Sequence, residues 1–151
     1  MQALSIGIAI CLLIIMLLHA LWGFRVWWPI ADELTLARTV VGAPGIKQMP
    51  SSAACFAVAF LLFLAVTLNL LLGGVVELQS LPKTLIAVGG LGASSVFILR
   101  GIIGYFPFWA RLTPELPLRA YDQWAYSPLC ILLGVGMLAL SWLYCVQEFS
   151  S

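Results

Sequence analysis

Apolar residues fill four long stretches of this chain, and the polar residues gather between them. No Asp, Glu, Lys or Arg occurs from Met1 to Phe24, from Gln48 to Val76 or from Gln123 to Gln147, and between Thr84 and Phe106 the one charge is Arg100. A helix needs about 20 largely apolar residues to cross the hydrocarbon of a bilayer, so the pattern predicts spans at about 4–24, 52–72, 84–106 and 127–147. Backbone groups in lipid must pair internally, which leaves helices or a closed barrel. Barrel strands alternate apolar and polar residues, and these segments do not. The expected fold is all-α, a four-transmembrane-helix bundle forming a single integral membrane domain over residues 1–151, with a short interfacial helix in the first loop.

The punctuation supports these boundaries. Ser51 and Ser52 follow Pro50 and offer a cap for the second span, while Ser127 and Pro128 read as the cap and first-turn proline of the fourth. Pro82 fits the first turn of the third span, and Pro107 ends it. In the first loop Pro29, Asp32, Glu33, Arg38 and Gly42 carry the start and stop signals of a short helix from about Ile30 to Val41. Its Ile30, Leu34, Ala37 and Val41 share one face, which predicts a place in the membrane interface. Trp22, Phe24, Trp27 and Trp28 are expected at headgroup depth beside it. The third loop, Pro107 to Tyr126, contains Pro114 and Pro117 as well and is expected to be irregular, held by Phe108, Trp109, Tyr121 and Trp124. The second is a short hairpin around Gly73, Gly74 and Glu77. The first span lacks the basic flank and small-residue cleavage site of a secretory signal and is expected to remain as a helix.

Composition agrees: with 63% apolar and 9% charged residues and a mean hydropathy of +1.10, a soluble domain is excluded. Charge adds an orientation. The first and third loops hold Arg25, Arg38, Lys47, Arg111 and Arg119, whereas the termini and second loop hold Lys83. The positive-inside rule then places the two long loops in the cytoplasm and both termini outside.

The chemistry collects at one end of the bundle. His19 precedes Arg25 by six residues and Arg100 precedes Pro107 by seven, depths of roughly 9 and 10 Å inside the same face. The fourth span enters from that face behind Tyr121, Asp122, Tyr126 and Ser127. The expected pocket is therefore His19, Trp22, Arg100, Tyr121, Asp122 and Tyr126. Alternatives stay open for each. Arg100 and Asp122 form either a purely structural tie or part of a ligand site, since an intramembrane ionisable group needs a partner. His19 serves either as an interhelical hydrogen-bonding group or in proton transfer, and Trp22 and Tyr126 also suit interfacial anchoring. Thr67 and Asn69 are expected to bond across helices. Gly89, Gly90, Ala93 and Ser94 form a small-residue stripe suited to close helix packing or to a homodimer or other helical partner, with Gly134 and Gly136 as a matching surface.

Other chemistries find little support. Cys11, Cys55, Cys130 and Cys145 form no CxxC, which disfavours a thiol–disulfide enzyme. By depth Cys55 pairs with Cys130 and Cys11 with Cys145, but buried cysteine commonly serves as a small apolar residue. One histidine without helically spaced ligands makes no metal site. No cofactor is expected, and no basic patch points to nucleic acid.

Several of these residues carry a resemblance. His19-x-x-Trp22, Met49-Pro50, Leu99-Arg100 and Tyr121-Asp122 followed by Tyr126-Ser127-Pro128-Leu129-Cys130 resemble a bacterial family of small four-helix membrane proteins classed only as a domain of unknown function. The likeness spans nearly the whole chain, is most specific from Asp122 to Cys130, and lapses in the first loop from Pro29 to Gly42. It implies the fold and a multi-pass place in the bacterial inner membrane, and brings no activity. Three functions follow as expectations: a pocket that holds a lipid headgroup or small amphipathic ligand, a structural or accessory membrane subunit, and an enzyme acting on a lipid-like substrate with His19 as acid or base and Asp122 as its orienter. A small multidrug-type transporter is disfavoured, because the first span contains no carboxylate.

Overall fold

The computed structural model describes residues 1–149. Four helices are long and apolar enough to cross a membrane: α1 (Gln2–Gly23), α3 (Ser52–Leu72), α4 (Lys83–Ile103) and α7 (Ser127–Phe149). Three short helices stand between them, α2 (Glu33–Val40), α5 (Pro107–Leu112) and α6 (Leu116–Tyr121), and a π-helical turn (Asp122–Tyr126) joins α6 to α7. The long helices are apolar all round. Ile14, Leu61, Val88, Val96 and Leu132 point outward from the bundle, while Leu12, Leu72, Met137 and Leu140 fill its centre. That distribution suits a lipid surround better than water.

The bundle consists of two close pairs, α1 with α3 and α4 with α7, with sparser contact between pairs. Polar groups join the first pair. Ser5 Oγ donates to the Asn69 carbonyl (2.8 Å) and Asn69 Nδ2 donates to the Ser5 carbonyl (2.7 Å), so Asn69 bonds across helices as expected. Thr67 instead donates to the Phe63 carbonyl of its own helix. Small residues join the second pair. A Cβ on Gly134 of α7 would lie 2.9 Å from the Ser94 carbonyl oxygen of α4, and one on Gly90 would meet Ser141 of α7 and Leu72 of α3. Gly89 faces Leu68 of α3 and Ala93 packs on the core. The Gly89–Ser94 stripe is thus engaged within its own bundle.

The two long loops meet at one end. Asp32 caps α2 by accepting from the Thr35 backbone N–H (2.7 Å) and hydroxyl (2.6 Å). The hydroxyl first and the amide second hold its carboxyl below the usual carboxylate range. The helix starts at Glu33 rather than Ile30, and its buried face is Leu36, Ala37 and Thr39, with Leu34 only partly covered. Leu36 and Ala37 close over Trp22, Met49 and Cys55 in a second small core. The expected face is thus turned mostly onto protein rather than lipid, with Ala37 buried and Ile30 and Val41 packed against the same core, while Leu36 joins it in place of Leu34. Trp22 is buried in this core, whereas Phe24 and Trp28 are exposed.

The third loop is not irregular. Pro107 and Pro117 sit in the first turns of α5 and α6, where a missing N–H costs nothing. Ser127 does not cap α7 either, because the helix runs on from Leu116. Pro128 is accommodated inside it by the π turn. Its absent N–H leaves the Gln123 carbonyl free, and the Tyr105 hydroxyl donates to that oxygen (3.1 Å). The loops are latched together: Arg38 pairs with Glu115 (3.6 Å), the Tyr126 hydroxyl donates to the Thr39 carbonyl (3.5 Å), and Leu118 sits against Gly42. Gly42 has φ +63°, where a side chain would be strained as well as crowded.

Candidate functional site

Asp122 is the centre of the polar cluster. It is 2% exposed and accepts three hydrogen bonds: from Arg100 Nη2 (2.8 Å) and Ser127 Oγ (3.1 Å) at Oδ1, and from Trp109 Nε1 (2.8 Å) at Oδ2. Buried charge needs this degree of compensation. The Arg100 guanidinium also lies over the Trp109 ring, 5.0 Å from its centroid, within the range of a cation–π contact. Gly104 makes room for the arrangement, since a Cβ there would strike Ser127 Oγ and come within 3.1 Å of Asp122 Oδ2. One carboxylate thus ties α4, α5 and α7 together.

The pairing of Arg100 with Asp122 follows the expectation from depth, although by a shorter reach. α4 ends at Ile103, with the Gly104 N–H on the Arg100 carbonyl, so Arg100 stands in the last turn. The rest of the expected pocket divides. Tyr121 and Tyr126 stack, centroids 6.0 Å apart, and Tyr126 is turned toward Thr39. His19 Nδ1 donates to the Ile15 carbonyl (2.8 Å), and its ring rests on Trp22 at 4.8 Å. Trp22 in turn donates to the Trp28 carbonyl (2.9 Å). No hydrogen bond or ring contact among the described residues joins His19 or Trp22 to Arg100 or Asp122. Matching depth put these groups at one level, but helix rotation turned Trp22 into the small core under α2 and left Arg100 and Asp122 in a separate polar cluster.

A cavity of about 100 Å³ adjoins the Asp122 cluster, lined by Tyr105, Phe106, Trp109, Thr113, Arg119 and Asp122 among others. Arg119 went unremarked in the sequence except as a loop charge. It makes no ion pair among the described residues, in contrast to Arg25 with Glu33 and Arg38 with Glu115. The cue available was its place three residues before Asp122, one helical turn away on the same face. A much larger cleft of about 1040 Å³ opens at the other end of the bundle, between the start of α1, the second loop, and the facing ends of α4 and α7. Nothing in the residue pattern announced it.

The family described as "Protein of unknown function (DUF3995)" matches residues 12–137, a range that includes the whole Asp122 cluster. No curated protein matches the chain, nor does any solved structure.

Proposed function

Since the chain belongs to this DUF3995 family of unknown function, no activity comes with membership, and we propose from its own geometry a membrane-embedded binding protein for an anionic lipid headgroup at the loop-bearing end. The observation that carries this reading is Arg119, an exposed cation without an ionic partner among the described residues, on the wall of a polar cavity. Arg100 is less suited to the role originally expected of it, because Asp122 already neutralises it. The cavity's 100 Å³ is well below the roughly 300–1,000 Å³ of sites that enclose a whole drug-sized molecule. It suits a phosphate-sized head whose acyl chains stay outside, along Phe108, Leu112 and Leu116, all exposed on α5 and α6.

The three donors on Asp122 favour a structural role for that residue beside the binding role of Arg119. An enzyme using His19 with Asp122 as its orienter lacks the contact that such a pair requires. Native mass spectrometry with added phosphatidylglycerol tests the proposal. Arg119→Gln is expected to lower lipid retention by about fivefold, an energy near 1 kcal/mol, while Arg111→Gln on the neighbouring short helix leaves it intact. Equal losses in both variants, or none in either, would reduce the site to general surface charge.

The family resemblance supports a place in the bacterial inner membrane, and the five basic residues of the long loops support a cytoplasmic side for those loops. A reporter active only in the cytoplasm, fused after residue 151, is expected to stay silent. Strong activity would invert the orientation and put the Arg119 cavity on the outer face.

A further inference from the structure

We propose that the large cleft at the opposite end of the bundle is a second ligand site, for a single-chain or phospholipid-like amphiphile with a zwitterionic head. The cleft forms where the two helix pairs part, and its 1040 Å³ is ten times the volume of the Arg119 cavity. That volume reaches the upper end of the roughly 300–1,000 Å³ typical of ligand sites. Its inner wall is mainly apolar: Leu71, Leu72, Ile86 and the ring of Tyr144 line it and are buried. Hydrocarbon placed against the three aliphatic side chains meets no polar side-chain atom of theirs.

The rim has the opposite character and carries both signs of charge. Lys83, the first residue of α4, forms an ion pair with Glu148 near the end of α7. Both side chains remain partly accessible, at 63% and 30%. Glu77 stands on the same rim without an ionic partner among the described residues. A head of one sign would meet a like charge from one member of the Lys83–Glu148 pair, and such contacts are costly where water is thinned. A head with a cation and an anion can lie antiparallel to that pair and satisfy both. The combination of an apolar inner wall with a two-signed rim selects an amphiphile by shape and by charge order.

The site is independent of the Arg119 cavity, which lies at the other end of α4. Its test is therefore made in the Arg119→Gln background as well as in the natural sequence. Lysophosphatidylethanolamine, lysophosphatidylglycerol and a trimethylammonium amphiphile of equal tail length are titrated onto the protein in maltoside detergent, and bound molecules are counted by native mass spectrometry. The zwitterion is expected to bind about fivefold more tightly than either singly charged amphiphile, equally in both backgrounds. Lys83→Gln is expected to shift preference toward the cation and Glu148→Gln toward the anion. Ala3→Trp, which fills the mouth from an exposed position on the lining, is expected to lower all binding there by about tenfold. Equal affinity for the three amphiphiles overturns the charge selection. Binding that survives Ala3→Trp, in a variant that melts like the natural protein, overturns the site.

Discussion

Replacing Asp122 by alanine is expected to destabilise the bundle more than any other single change in its polar cluster. The carboxylate is buried and holds three donors, so its loss leaves the Arg100 guanidinium, the Trp109 indole N–H and the Ser127 hydroxyl without an acceptor at once. Breaking one partner of a sequestered ion pair costs about 3–5 kcal/mol. Arg100→Ala should cost less, because Asp122 keeps two neutral donors and the arginine side chain was already a third exposed. The double substitution should cost clearly less than the two single losses added, since each single variant strands a charge that the double variant lacks. Thermal unfolding in detergent measures all three. Strict additivity would show that the two side chains stabilise the fold independently and that the tie between α4 and α7 resides elsewhere.

The second large effect is expected at Gly134. A methyl group there would come within 2.7 to 2.9 Å of Ile98 Cγ1, the Ile98 nitrogen and the Ser94 carbonyl. Two of those atoms are backbone and have little freedom to retreat. Gly134→Ala should push α7 away from α4 and cost about 1–3 kcal/mol, the usual range for overpacking. Gly92→Ala is the internal control, on the facing helix α4 but with nothing within 4 Å of the added carbon. It should leave the melting temperature unchanged. A Gly92 variant as damaged as the Gly134 variant would indicate that glycine serves helix flexibility here rather than close approach.

The spans were legible because a charge-free run of helical length has few other uses, and the structure's long helices fall within a few residues of the expected ones. Asn69 and the Arg100–Asp122 pair were legible for a related reason: a polar group in such a run must find a partner, and depth narrows the choice. The π turn was not. Ser127-Pro128 has the form of a helix start, whereas the backbone carries the helix through it by a π turn, with the Tyr105 hydroxyl on the Gln123 carbonyl. Azimuth was equally hidden. Leu34 and Leu36 are both apolar, and which of them α2 buries depends on where Trp22 and Met49 stand. His19 missed the Asp122 cluster for the same reason, because a depth argument fixes height along a helix and leaves rotation undetermined. The large cleft comes from the spacing between two helix pairs, a property that no single residue carries.

Those pairs also bear on the order of events during synthesis. α1 and α3 both lie within the first 72 residues, and α4 and α7 follow from residue 83 onward. Each extensive helix interface therefore closes between segments close in sequence, where the loop entropy to be overcome is smallest. The first hairpin can dock in the bilayer while the second is still in the ribosome. The contacts of longest separation at the loop end, Arg38 with Glu115 and Thr39 with Tyr126, have to wait until residue 126 has emerged. A chain halted before the latch forms would hold a finished first hairpin with α2 docked on it but without the contact of α2 to α6.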